Sequence, residues 1–347
     1  MRIRPFIYAV ILSVLVPFSL ASAQAIETSP LQSPPPFRPG QLWLDTSGTP
    51  INAHGGGFLF HNGTYYWYGE FKTSGPGGNA ANVGVSVYSS RDLYHWKNEG
   101  IALKVSDDPT SDIVKGCVIE RPKVLFNAKT GTYVMWFHLE LKGKGYSVAR
   151  AGVATSKSPT GPFTFVRDFR PDGEMSRDMT LYQDDDGKAY LITTSENNQT
   201  QHVSQLMDDY LDTTGHYTRI LAHKALEGEA IFKTHGHYFY IGSHTTGWRP
   251  NPAFAATANA ITGPWKELGN PCRGQGADLT FGAQSAYVLP VAGKPGAFIF
   301  IADQWRPRNA IDGRYVWLPI TISGDAFTIT WKDAWDLSAF DASTASH

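Results

Sequence analysis

Five times along this chain of 347 residues a turn glycine leads straight into an aromatic, apolar run. The copies are His61-Asn62-Gly63-Thr64-Tyr65, Lys129-Thr130-Gly131-Thr132-Tyr133, Asp186-Gly187-Lys188-Ala189-Tyr190, Thr234-His235-Gly236-His237-Tyr238 and Lys294-Pro295-Gly296-Ala297-Phe298, with Gly-to-Gly steps of 68, 56, 49 and 60 residues. A glycine at a two-residue hairpin supplies the positive φ that the turn requires. Each glycine is followed by strand-forming residues, such as Tyr-Tyr-Trp-Tyr after Gly63 and Tyr-Val-Met-Trp-Phe after Gly131. Helix signals are almost absent. Repeats of this length made only of strands fit propeller blades, each a four-stranded antiparallel meander whose innermost strand comes first. The expected fold is all-β, a five-bladed β-propeller spanning residues 41–340 as a single domain.

The ends of the chain read differently. Arg2 and Arg4 precede an apolar run from Pro5 to Leu20, and Ala21-Ser22-Ala23 offers small residues for cleavage, so residues 1–23 are expected to be a secretory signal peptide. Residues 24–40, rich in Pro, Ser and Gln, read as a loose leader. An exported, periplasmic or extracellular protein is expected, with no membrane span in its mature form. The net charge of −1 supports neither a nucleic-acid partner nor an anionic membrane surface. Cys117 and Cys272 could form a disulfide or remain two buried thiols, and neither has metal-ligand spacing to a partner. No P-loop, dinucleotide fingerprint or Gly-x-Ser-x-Gly elbow is present, so no cofactor or metal is expected.

Third strands are visible as Val83–Tyr88, Ala151–Thr155 and Ala253–Thr257, whose small residues allow neighbouring sheets to approach closely. Ser158-Pro159-Thr160-Gly161-Pro162-Phe163, Ala260-Ile261-Thr262-Gly263-Pro264-Trp265 and Ser90–Trp96 read as turns that place an aromatic at the outer edge. Asp184 to Asp186 read as a hairpin turn, and His235 and His237 as solvated hairpin residues.

Counting back nine to twelve residues from each glycine gives the start of each innermost strand: His54, Glu120, Asp178, Glu227 and Gln284. Five-fold repetition should bring these onto one rim of the channel. The returning second strands reach the same rim with Glu70, His138, Thr194, Ser243 and Asp303. The loops beyond carry Tyr146, Asn197, Asn198, Thr245, Trp248, Trp305 and Arg306. Polar groups for hydroxyls and flat rings for C–H faces suit a sugar. Hydrolysis of a glycosidic bond needs a carboxyl that keeps its proton near neutral pH, and desolvation with a neighbouring negative charge supplies that condition. Glu227 flanked by Asp178 of the adjacent blade would meet it, with Glu120 farther round the ring to receive sugar hydroxyls.

At these residues the chain resembles glycoside hydrolase family 43. Leu226–Lys233 is similar to the family's acid-bearing strand, and Arg177-Asp178 followed by Asp184–Gly187 resembles the segment of its pKa-modulating aspartate. Ala53–Gly57, Val118–Lys123, Val134–His138, Ser243–Trp248 and Gln304–Pro307 look like the galactan-acting branch, the exo-β-1,3-galactanases and related galactosidases. The resemblance implies an inverting exo-hydrolase that releases galactose from β-1,3-galactan, the backbone of arabinogalactan. It implies Glu227 as general acid and Asp178 as its modulator, and it puts Glu229 where the family often has proline. Ring position and loop placement make His54, Glu70, Tyr146, Asn197, Thr245, Trp248, Trp305 and Arg306 the expected sugar contacts. The family's usual aspartate base is missing from Ala53-His54-Gly55-Gly56-Gly57. Gln284 or Glu120 is then left to hold the attacking water, and His54 is a chemically attractive base in a glycine-rich setting that also suits a structural role. A galactofuranosidase or α-L-arabinofuranosidase, and a galactan-binding propeller without catalysis, remain as alternatives.

Overall fold

A computed structural model describes residue 1 and residues 35–345 of the chain. The expected signal peptide and most of the expected leader, residues 2–34, lie outside the described residues. Nearly all regular structure is β, with a few short 3-10 turns.

Blade 1 is His54–His61, Thr64–Glu70, Gly84–Ser90 and Lys97–Lys104. Blade 2 is Val118–Asn127, Thr132–Glu140, Arg150–Ser156 and Thr164–Phe169. Blade 3 is Met179–Gln183, Ala189–Ser195, Thr200–Leu206 and Thr213–Ile220, and blade 4 is Leu226–Thr234, His237–His244, Ala253–Ala258 and Lys266–Gly269. Each is an antiparallel meander in chain order. Blade 5, Gln284–Pro290, Phe298–Gln304, Arg314–Ser323 and Ala326–Thr330, gains a fifth strand, Cys272–Arg273, parallel to its outer edge. All five repeat glycines have positive φ, from 60° to 82°. Only Asn62-Gly63 and His235-Gly236 form two-residue hairpins, where His61 pairs with Thr64 and Thr234 with His237. The other three glycines sit in longer turns, which still need left-handed backbone.

The core is not one mass but five wedges, each filling one gap between adjacent blades. Val85 and Val87 meet Met135 and Phe137 between blades 1 and 2. Val134 and Trp136 meet Leu181 and Leu191 between blades 2 and 3. Ile192 and Val203 meet Tyr240 and Phe254 next, and Phe239 and Ile241 then meet Phe300 and Leu318. Phe58 and Trp67 of blade 1 close the circle against Ile299 and Trp317 of blade 5. Successive residues of one strand, such as Val134 and Met135, thus enter different wedges, because a strand's side chains alternate between faces that are both covered. A Cβ on Gly152 would lie 2.2 Å from the ring of Phe137, its partner on the adjacent strand of the same blade, so this glycine makes room within its own sheet and not between sheets. The turn aromatics Trp96 and Phe163 stand just before the outermost strands of blades 1 and 2, where they are buried in the wedges and not exposed.

The expected boundary at residue 40 needs correction. Phe37 pairs with Trp335 through both backbone N–H groups (2.7 and 3.1 Å) and is buried against Tyr94, so the propeller body extends to Phe37 at least. Cys117 and Cys272 are both free and buried, which leaves the two-thiol alternative, and burial pushes each thiol up to about 12.

Candidate active site

The register places the ring as the repeat predicts. His54 pairs with Glu70, Glu120 with His138, Glu227 with Ser243 and Gln284 with Asp303, while the Thr194 N–H donates to Asp178 O at 2.8 Å. Four of the five innermost strands break register within a few residues of this point, between His54 and Gly57, Glu120 and Lys123, Glu227 and Ala230, and Ser285 and Tyr287. A bulge inserts an unpaired residue and re-aims its neighbours. In blade 2 the bulge turns the consecutive residues Glu120 and Arg121 into the channel.

The outcome is a pit of about 370 Å³, within the usual range for a small-ligand site. Glu120, Asp178, Glu227, Gln284, Glu70, Tyr146, Thr245, Trp248 and Trp305 line it, as do His138 and Thr194. His54, Asn197 and Arg306 do not. His54 is fully buried and stacked on Tyr315 (centroids 5.3 Å, 23°), with Nδ1 3.6 Å from Asp303 Oδ1. Asn197 lies in a left-handed run of Glu196, Asn197 and Asn198, and the turn presents Asn198 to the pit one residue later. Arg306 opens a turn beyond Trp305, and its carbonyl accepts from the Asn309 N–H. The glycines beside His54 have a spatial purpose. A Cβ on Gly55 would lie 2.3 Å from Glu70 Oε1, and one on Gly57 would lie 2.3 Å from Lys123 Cδ. Blade 1 therefore offers no carboxylate from its first strand because that space holds Glu70 and Lys123.

Arg121 and Lys72, with Asn79, Arg177 and Gly247, line the pit at positions the spacing did not assign. Arg121 is 4% exposed and sits at φ 54°, in the bulge of blade 2. Its Nη2 lies 3.0 Å from Asp178 Oδ2 and donates to Gln284 Oε1 at 2.6 Å, and its Nη1 donates to Ser285 O at 2.9 Å. Lys72 Nζ lies 2.5 Å from Glu70 Oε2. Both cations lie over the ring of Trp305, at 5.7 Å for Lys72 and 5.5 Å for Arg121. Trp305 is thereby a fixed wall, and Trp248, 43% exposed at 5.8 Å from it, is the freer flat surface. Arg121, next to a ring position, gives no periodic signal because the strand pattern assigns it to the opposite face, and Lys72 lies beyond the end of its strand at Glu70.

Glu227 is pushed up to about 8 by burial first and then by the charge of Asp178, against the opposing pull of Arg121. Asp178 Oδ2 also accepts from the Gly228 N–H at 3.0 Å, so its carboxylate is held at the shoulder of the Glu227 strand. Gln284 Nε2 donates to Glu227 Oε1 at 2.9 Å and to Ser243 Oγ at 3.0 Å, while its Oε1 accepts from Arg121 and from Trp305 Nε1 (2.9 Å). All four hydrogen-bonding positions of that amide are used.

Glu120 behaves oppositely to Glu227. Burial would raise it, but the hydrogen bond and charge of His138, with Lys72 and Tyr146, bring it down to about 2. It is paired with His138 (Nδ1 to Oε2, 3.1 Å) and accepts from the Tyr146 hydroxyl (2.7 Å), and not with the adjacent Arg121. His138 Nε2 meets the fully buried Glu140 at 3.2 Å, and despite its burial the two carboxylates raise the imidazole to about 9. Glu120, His138 and Asp178 bring ligand atoms within 4.8 Å of one another, the nearest thing to a cation site among the described residues. Both imidazole nitrogens already face carboxylates and Asp178 holds a guanidinium, so a metal there would have to displace these partners.

Comparison with known proteins agrees with this geometry. The family model for glycosyl hydrolases family 43 matches residues 57–272. A family 43 β-1,3-galactosidase solved with galactodeoxynojirimycin is 46% identical, with a TM-score of 0.84 over 87% of this chain and 100% of that one. An exo-β-1,3-galactanase from Phanerochaete chrysosporium, solved with β-1,3-galactotriose, is 37% identical at a TM-score of 0.81, covering 87% of this chain and 68% of that one. A β-D-galactofuranosidase from Aspergillus niger is 27% identical over 190 residues, and the match spans only about half (54%) of its length. With the family model matched over most of the propeller, this chain belongs to glycosyl hydrolase family 43.

Proposed function

We propose that the protein is an exported, exo-acting, inverting β-1,3-galactosidase that removes terminal galactose from β-1,3-galactan. The observation that carries the reading is Glu227, a carboxyl that holds its proton to about pH 8 at the edge of a sugar-sized pit. The relatives solved with a galactose-like imino sugar and with β-1,3-galactotriose support the choice of sugar and linkage. The buried floor made by Glu70, Lys72 and Arg121 supports end-on attack, since a chain cannot run through it.

In this reading Gln284 anchors Glu227 Oε1, so the proton sits on Oε2 and passes to the glycosidic oxygen as the C1–O bond breaks. Water attacks C1 from the opposite face, and its proton goes to a group that is ionised at working pH. Glu120, kept ionised by His138 and separated from Glu227 by blade 3, fits that need. Gln284 fits it less well, because both donors of its amide and its carbonyl oxygen are engaged on the acid's side of the pit. The product leaves with inverted anomeric configuration. An acid poised in this way has no use in a protein that only binds galactan.

Release of galactose from β-1,3-galactobiose, with proton NMR of the first-formed anomer, tests the reading. The second reading is a galactofuranosidase, favoured by the Aspergillus niger relative. Aryl β-galactopyranoside, galactofuranoside and α-L-arabinofuranoside, assayed side by side, separate the two, and preference for a furanoside overturns the first.

A further inference from the structure

Gln284 carries the hydrogen bond to the acid, and the two orientations of an amide side chain have nearly the same shape. On the acid's side nothing chooses between them. The Ser243 hydroxyl, 3.0 Å from Gln284 Nε2, can donate or accept, and so can a protonated Glu227. On the far side the choice is forced. Arg121 Nη2 (2.6 Å) and Trp305 Nε1 (2.9 Å) both donate to Gln284 Oε1, and neither a guanidinium nor an indole N–H can accept. Only the amide oxygen can stand there. A reversed amide would set its N–H groups against these two donors and leave the indole N–H without an acceptor.

The two donors are themselves fixed. The Arg121 backbone N–H donates to Glu70 Oε1 at 3.1 Å, its carbonyl accepts from the buried Lys123 Nζ at 3.3 Å, and its Nη1 donates to Ser285 O at 2.9 Å. The residue is thus tied to blades 1, 2 and 5 before its Nη2 reaches Asp178 at the start of blade 3 (3.0 Å). Trp305 is held by the Lys72 and Arg121 cations over its ring and by the edge of Trp248. Arg121 serves the acid twice, because the Asp178 oxygen it holds also takes the Gly228 N–H next to Glu227.

We infer that Arg121 and Trp305 are positioning residues for the proposed reaction: they lock the Gln284 amide with its nitrogen toward Glu227, so that the transferable proton is confined to Glu227 Oε2. With the amide reversed, its oxygen would accept from Glu227 Oε1 and draw the proton to the amide, where it is not available to the leaving group. The same geometry denies Gln284 an imidic acid form, in which the oxygen would carry a hydrogen. Both lone pairs of that oxygen already receive N–H groups.

This inference rests on Glu227 being the acid, and its test separates the two claims. β-1,3-Galactobiose needs a proton on its leaving oxygen, whereas dinitrophenyl β-galactopyranoside expels an anion that is stable without one. A defect in the acid therefore costs kcat on the first substrate more than on the second. Glu227→Gln, the reference, should show an excess loss on galactobiose of roughly 10²-fold. Arg121→Lys keeps a charge beside Asp178 but cannot also serve Gln284 and Ser285, and its excess should be roughly tenfold. Trp305→Phe keeps a ring and removes only the N–H, for an excess of roughly threefold. A merely structural residue, or one that only walls the pit, would slow both substrates alike or raise KM for both. Equal losses on the two substrates in either variant overturn the inference. If neither variant folds, neutron diffraction from a deuterium-exchanged wild-type crystal still decides. Two deuterons on the Gln284 side-chain nitrogen, directed at Glu227 and Ser243, are expected; a deuteron on the oxygen, or a nitrogen facing Trp305, overturns the lock. Equal losses in Glu227→Gln would instead reject Glu227 as the acid, and failure of every glycoside to turn over would reject the proposed function. The neutron result would still stand for or against the locked amide.

Discussion

The two ends of the propeller are built from the same strands but use charge in opposite ways. At the glycine-turn end, ion pairs such as Lys129–Asp208, Lys188–Asp186 and Lys266–Asp325 are about half exposed or more. At the rim, Lys72–Glu70, Arg121–Asp178 and His138–Glu140 are nearly withdrawn from water. Charges in water interact weakly and barely alter one another's protonation, whereas charges in a desolvated cluster shift by several units and leave some groups unpaired. The difference comes from desolvation: the rim charges converge on a pit, into which the bulge of blade 2 brings Arg121 beside Glu120, whereas the pairs at the turns face water. The exposed pairs at the turn end are expected to add little stability, whereas the chemistry proposed for the rim draws on its buried charges.

The largest break in this comparison should come from the acid. Glu227→Gln is expected to lower kcat on β-1,3-galactobiose roughly 10³-fold, because proton donation to the leaving oxygen is lost. In the wild type, kcat/KM should fall as pH rises through about 8, since the reactive form is the protonated one and its proton leaves there. Retention of activity in the variant, or an alkaline limb that does not exist, would remove Glu227 from its role. Next comes the water side: Glu120→Gln should cost roughly 10²-fold in kcat, and more than Gln284→Ala does. The reverse order would transfer water activation to Gln284.

Glu140 tests whether buried charge at the rim also carries stability. Its oxygens accept from Val148 N (2.8 Å) and Ala149 N (3.0 Å) as well as facing His138. Glu140→Ala should cost about 3 kcal/mol in urea unfolding, because it leaves the buried His138 Nε2 and two N–H groups without their acceptor, although Glu120 still pairs with Nδ1. His138 is raised in the folded protein, so what its partners contribute is fully present below the ordinary imidazole value. It should be lost as pH rises through about 9. At the other end Lys266→Ala should change stability by only about 0.5 kcal/mol. A loss as large as that of Glu140→Ala would erase the distinction between the ends.

Much of this was legible in the sequence for a physical reason. Blade repetition converts distance along the chain into angle around an axis, so Glu120, Asp178, Glu227 and Gln284 could be found by counting from five glycines. The returning positions Glu70, His138 and Thr194 followed from antiparallel pairing alone. What escaped lay where backbone departs from strand geometry. Arg121 reaches the pit because of a bulge, and the left-handed run at Glu196 to Asn198 moves the lining residue from Asn197 to Asn198. His54 occupies the expected ring position and pairs with Glu70 as foreseen, but the glycines after it cede the channel to neighbouring side chains. Period-two reasoning contains no information on such swaps.

The gap between blades 1 and 5, where the circle closes, carries a practical consequence. Five of the ten tryptophans, Trp43, Trp67, Trp96, Trp317 and Trp335, gather in or against that wedge. Intrinsic fluorescence of this protein is thus weighted toward a latch rather than toward the catalytic pit, and the emission of these indoles gives a built-in gauge of whether the ring has sprung open.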